Sequence, residues 1–179
     1  MAEQIKENPG VVKGGQAVEE IPAENRWTIA TQGLTGAYVA TIKAMLDAVG
    51  RDKYNEMMIQ IWTEAGKSSK QIADALGMAG DDAQSAVKAG VIVCIASMGP
   101  EFEYEITEST AEKAVFRFHE CQWHNRMKEL GISDDICTAA CPAYWNGLSK
   151  SFNPKLNASL NKAMPLGDPY CEIGHELQK

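Results

Sequence analysis

Between residues 34 and 49, apolar side chains return every three or four positions, at Leu34, Tyr38, Ile42, Leu46 and Val49. That period lays one apolar stripe along a helix, and Gly50 supplies its stop. A second helical pattern begins near Asp52 and carries Met57, Met58, Ile61, Trp62, Ile72, Leu76 and Met78, with a break expected at Gly66. Gly80-Asp81-Asp82 reads as a loop and N-cap. A third helix then carries Ala86, Val87, Val91, Val93, Cys94 and Met98 and ends at Gly99-Pro100.

After Pro100 the period shortens to two. Phe102, Tyr104 and Ile106 alternate with Glu101, Glu103 and Glu105, and Ala114, Phe116 and Phe118 alternate with Val115, Arg117 and His119. The pair predicts a hairpin with the Phe102/Tyr104/Ile106 face toward the core and a solvated row of glutamates behind it. Helical patterns return from Gln122 to Leu130 and from Ser133 to Ser149. Asp134 and Asp135 favour the second helix start, and Pro142 is expected to kink or divide that helix. Leu156 to Met164 is ambiguous, and Tyr170 to Leu177 reads as a short final strand. The sum is an α+β fold, an antiparallel sheet of three or more strands packed by helices, with a mostly helical N-terminal half. Residues 1–24, which contain Asn8-Pro-Gly and Lys13-Gly-Gly, read as a flexible arm. Residues 25–179 read as a single domain with a cysteine-rich C-terminal third.

The chain's 179 residues suit one domain with a real core. A net charge of −7 with no basic run argues against a nucleic-acid partner. The longest apolar stretch, Ala89 to Met98, is too short for a bilayer, and Met1-Ala-Glu-Gln-Ile-Lys lacks the pattern of a secretory signal. The expected setting is cytoplasmic, with no membrane partner, and the apolar helices favour a homodimer. Five cysteines cannot all pair internally, so reduced thiols are expected.

Four of those cysteines, and all three histidines, fall in the last third: His119-Glu-Cys121-Gln-Trp-His124, Cys137-Thr-Ala-Ala-Cys141 and Cys171-Glu-Ile-Gly-His175. Cys121 precedes a helix start, where amide dipoles favour thiolate, and His124 follows at a spacing that shares its face. The two read as a thiolate–imidazole pair, as two ligands of one metal, or as a buried thiol beside a wet histidine. Cys137 and Cys141 face one way on a helix, as core residues or as ligands joined by Cys121 and Cys171. Zinc suits such a set, and an iron–sulfur cluster is compatible with four thiolates. Asp168 lies in a Gly-Asp-Pro turn, where it can hold backbone amides. Cys171 and Glu172 point to opposite sides of a strand, and His175 reads as a surface residue or a site residue. Tyr144 and Trp145 read as a hydrogen-bond donor and wall of a pocket, or as amphipathic packing.

The ordered set Cys121, Cys137-Thr-Ala-Ala-Cys141, Tyr144, Pro154, Leu156 and Gly167-Asp168-Pro169-Tyr170-Cys171-Glu172 resembles the L-2-amino-thiazoline-4-carboxylic acid hydrolase family over residues 80 to 176. The closing Gly-Asp-Pro-Tyr-Cys-Glu is also similar to the end of vinyl-4-reductase small-molecule-binding domains. The first resemblance implies a hydrolase that opens a C–N bond of a small cyclic amidine-like substrate such as 2-amino-thiazoline-4-carboxylate. It places Cys121, Cys141 and Cys171 on the family's recurring cysteines, Cys137 as an additional thiol, and Asp168 on the aspartate of the Gly-Asp turn. Ile173 departs from the family's usual phenylalanine. The second resemblance implies a non-catalytic module that binds a small hydrophobic molecule, a metal or an iron–sulfur cluster. The resulting expectation is catalysis by Cys121, His124 and Asp168, and metal ligation by Cys121, Cys137, Cys141 and Cys171. A small molecule is the expected substrate or ligand.

Overall fold

In the computed structural model, which describes residue 15, residues 18–132 and residues 136–178, three helices precede the first strand. They are α1 (Ala23–Val49), α2 (Arg51–Ala75) and α3 (Ala83–Met98). The hairpin β1 (Glu103–Ser109) and β2 (Lys113–Glu120) follows, then α4 (Gln122–Glu129) and α5 (Cys137–Phe152). β3 (Leu156–Lys162), a 3-10 turn at Met164–Leu166 and β4 (Cys171–Leu177) complete the fold. Most of the expected N-terminal arm and the Ser133-Asp134-Asp135 helix start lie outside the described residues.

α1 buries Thr31, Thr35, Val39 and Ile42, a face turned from the expected stripe, and Leu34 and Val49 stay 66% and 41% exposed. A threonine-bearing face can pack because the Thr31 hydroxyl donates to the Trp27 carbonyl at 2.8 Å and the Thr35 hydroxyl to the Thr31 carbonyl at 2.7 Å. Gly50, at φ 76°, separates α1 from α2. The break expected at Gly66 does not occur, and α2 runs through it. Gly66 is instead where α2 meets α5: an added Cβ would collide with the Tyr144 carbonyl oxygen and lie 2.8 Å from the Leu148 amide nitrogen. Gly147 makes the reciprocal approach from α5 to the backbone of Thr63. Nor does Pro142 divide α5, which continues from Cys137 to Phe152 with the proline inside it.

The sheet is antiparallel in the order β1-β2-β4-β3. Its fourth strand, β3, is the segment whose sequence was ambiguous. Phe116 sits opposite Ile173, which sits opposite Leu160, and Phe118 sits opposite Cys171. These side chains face α3 and α5, which pack over β2, β3 and β4 rather than over β1. Tyr104 and Ile106 pair with Phe118 and Phe116 as expected, but on the uncovered edge they remain 43% and 44% exposed. The opposite face carries the ion pairs of Arg117 with Glu172 at 2.8 Å and with Glu105 at 3.2 Å, Glu103 and Glu105 are exposed, and Glu101 pairs with Arg126 at 2.9 Å.

Two apolar clusters result. One joins Val87, Val91, Phe116, Trp145, Leu148, Leu156 and Ile173, and the other joins Val39, Ile42, Tyr54, Met58, Met127 and Ile136. Among the described residues no helix is long and apolar enough to cross a membrane.

Candidate functional site

A cavity of about 390 Å³ lies at the seam between the two clusters. All five cysteines line it: Cys94 from α3, Cys121 from the start of α4, Cys137 and Cys141 from α5, and Cys171 from β4. The i, i+4 spacing on α5 turns Cys137 and Cys141 to the same side, and strand parity turns Cys171 inward while Glu172 pairs with Arg117 outside.

Aromatic rings form much of the remaining wall. Tyr38 and Trp123 have centroids 4.9 Å apart, Trp62 and Trp123 are 5.5 Å apart, and Tyr144 and Trp145 are 5.2 Å apart. Phe102 and Phe118 close the sheet side at 5.0 Å. Leu34 and the exposed Ser97 also line the space, which puts its mouth between α1 and the end of α3. No Lys, Arg, Asp or Glu occurs among the described residues that line it.

The electrostatics follow from this apolar setting. Cys121 is the N-cap of α4 in extended conformation, with no capping hydrogen bond from its side chain. Burial pushes its thiol up to about 11, against the opposing pull of the His124 and Trp123 amides. The helix start therefore does not yield the thiolate that its position suggested; desolvation outweighs the amide dipoles. The surface Cys121 leaves accessible is cavity wall. Burial likewise raises Cys94, Cys141 and Cys171, the last while its sulfur accepts the Met164 amide at 3.3 Å.

His124 and Cys121 both line the cavity. Asp168 does not line it: its Oδ2 accepts the Ala163 amide at 2.9 Å and holds the β3–β4 turn. His119 sits on the outer face, 3.2 Å from Glu105. His175 is not a surface residue. It is fully buried, with Nδ1 2.6 Å from Ser149 Oγ, and burial lowers its pKa to about 3.

Zinc or an iron–sulfur cluster is the group the sequence leads one to expect at these thiols. Among the described residues, no three Cys, His, Asp or Glu side chains are grouped closely enough to hold a metal ion.

Sequence reasoning missed Cys94, Tyr38, Trp62 and Ser69 as wall residues. The run Ala65, Gly66, Ser69, Ala73 on α2, small and recurring at helical spacing, was the available signal of a close helix contact beside a pocket.

Solved structures share the fold, two of them as follows. The phenol-responsive sensory domain of the transcription activator PoxR, determined with phenol, matches with a TM-score of 0.61 and 13% identity, over 80% of this chain and 74% of that one. A trafficking protein particle complex subunit 3 from Naegleria fowleri, covalently bound to palmitic acid, matches with a TM-score of 0.60 and 13% identity, over 84% of this chain and 96% of that one. No curated protein matches the chain. The model of one family, L-2-amino-thiazoline-4-carboxylic acid hydrolase, matches residues 32–174, a span that contains every residue lining the cavity. The chain belongs to the L-2-amino-thiazoline-4-carboxylic acid hydrolase family.

Proposed function

We propose that this chain binds a compact, neutral and largely apolar small molecule in the cavity between its clusters. The observation that carries the reading is the wall: aromatic rings and thiols around about 390 Å³, with no Lys, Arg, Asp or Glu among the described lining residues. Protein interiors keep few voids larger than a water molecule, and ligand sites are commonly about 300–1,000 Å³. A charged occupant would lose its hydration here without gaining a counter-ion, at a cost of several kcal/mol. The phenol and palmitic acid named for the two proteins of similar fold both have apolar bodies, which supports the same kind of occupant. Denaturing extraction of protein purified without detergent, followed by mass spectrometry, tests this. A stoichiometric neutral apolar compound is expected, and a stoichiometric polar ion would contradict the reading.

Family membership, with Cys121 and His124 both lining the cavity, favours a second reading: hydrolysis of a C–N bond in a small cyclic amidine-like molecule. Cys121 Sγ would add to the electrophilic ring carbon as His124 takes the thiol proton and returns it to the departing nitrogen. Water would then release the product from sulfur. With Cys121 pushed up to about 11, roughly one thiol in ten thousand is ionised at pH 7, so this route needs the proton transfer to His124. 2-Amino-thiazoline-4-carboxylate carries a carboxylate for which the described wall holds no Lys or Arg, so a neutral ring suits the cavity better. Loss of ring opening in Cys121→Ser with the fold retained supports the route, and undiminished turnover removes Cys121 from it.

A further inference from the structure

We propose that the Tyr144 hydroxyl oxygen anchors the occupant as a hydrogen-bond acceptor, so that the ligand is an apolar body about two fused rings in size bearing one O–H or N–H donor. This rests on the small-molecule reading above and names the chemistry of its ligand. Ser69 Oγ lies 3.0 Å from the Ala65 carbonyl oxygen and 3.0 Å from the Tyr144 hydroxyl. Ser69 has a single hydrogen, and a carbonyl oxygen can only accept. When that hydrogen goes to Ala65, the serine oxygen accepts from Tyr144 and both bonds form. The reverse, Ser69 donating to Tyr144, leaves the Ala65 bond unmade and the tyrosine hydrogen unused.

In the favoured arrangement the tyrosine hydrogen points away to Ser69, and the lone pairs of its oxygen remain for the cavity that Tyr144 lines. Burial raises the Tyr144 pKa, so the group stays a neutral phenol. Two nearby hydroxyls are already used on both sides: Tyr38 donates to Met58 Sδ at 3.3 Å and accepts from the Trp62 side chain, while Thr35 donates to the Thr31 carbonyl and accepts Gln122 Nε2 at 3.2 Å. The wall's anchor at Tyr144 thus selects a donor, the opposite of the donating role its sequence position suggested. A dry cavity of about 150 Å³ holds benzene. The larger space here, about 390 Å³, has room for a second ring.

Equilibrium dialysis of 2-naphthol, 2-methoxynaphthalene and 2-acetonaphthone against wild type, Tyr144→Phe and Ser69→Ala tests the assignment. Tyr144→Phe should weaken 2-naphthol about fivefold, the factor of one neutral hydrogen bond, and leave 2-methoxynaphthalene unchanged. Ser69→Ala should release the tyrosine hydrogen and tighten 2-acetonaphthone by about the same factor. Equal weakening of 2-naphthol and 2-methoxynaphthalene, or no weakening of either, overturns the acceptor role while the small-molecule reading stands. Failure of all three to bind wild type overturns both.

Discussion

Ser149 Oγ and His175 Nδ1 lie 2.6 Å apart in the core, where neither residue is exposed to solvent. The imidazole packs beside Phe116 and Trp145, with ring centroids 6.0 and 5.7 Å away, so it is held in the neutral form by its surroundings. This ties the cavity wall, through Trp145, to a group that resists protonation.

Burial lowers the His175 pKa from 6.5 to about 3, so below pH 6.5 the unfolded chain takes up a proton that the folded chain refuses. Its contribution to stability is complete above pH 6.5 and is lost as pH falls toward 3, at roughly 1.4 kcal/mol per pH unit. Urea unfolding at several pH values should show wild type losing stability more steeply than His175→Gln over that window. Parallel curves would show that His175 is not the group responsible.

The thiols give the opposite sign. Burial raises Cys121 from 9.0 to about 11, so its stabilising effect is full below pH 9.0 and fades as pH rises toward about 11. Alkylation by iodoacetamide at pH 7.5 should be slower for the folded protein than for the same chain in denaturant, and should accelerate with pH beyond 9. A thiol that reacts in the folded state as fast as in denaturant would contradict the protonated wall.

Two glycine substitutions should move stability in opposite directions. Gly66→Ala forces a Cβ against the α5 backbone, which cannot turn aside, and should destabilise by about 1–3 kcal/mol or more despite the better helix propensity. Gly33→Ala, on α1 with nothing within 4 Å, should stabilise by about 0.5–1 kcal/mol. Thermal unfolding of both variants checks the pair.

The helices, the hairpin and the last strand were legible because each repeats its period over several residues. β3 was missed although Leu156, Ala158 and Leu160 alternate with Asn157, Ser159 and Asn161, because Asn and Ala carry little strand propensity. The face of α1 was misread because Thr31 and Thr35 return their hydroxyls to their own helix and pack like apolar residues. At the site, the sequence pointed to Cys121, His124, Cys137, Cys141 and Cys171, all of which line the cavity. It could not show that desolvation would outweigh the helix start at Cys121, since that depends on segments distant in sequence, among them Cys94 of α3 and Cys171 of β4, which the fold brings to it. Asp168 looked chemical only because a turn aspartate and a reactive one are the same residue type until their partners are seen.

The most direct test of the cavity's character is a paired titration of the protein at pH 7 with naphthalene and with 2-naphthoate, followed by the fluorescence of wall residues Trp62 and Trp123. The two probes share a ring system and differ by one carboxylate. Saturable binding of naphthalene at one site per chain, with 2-naphthoate at least about tenfold weaker, is the result a wall without Lys or Arg predicts. Tighter binding of 2-naphthoate would contradict it.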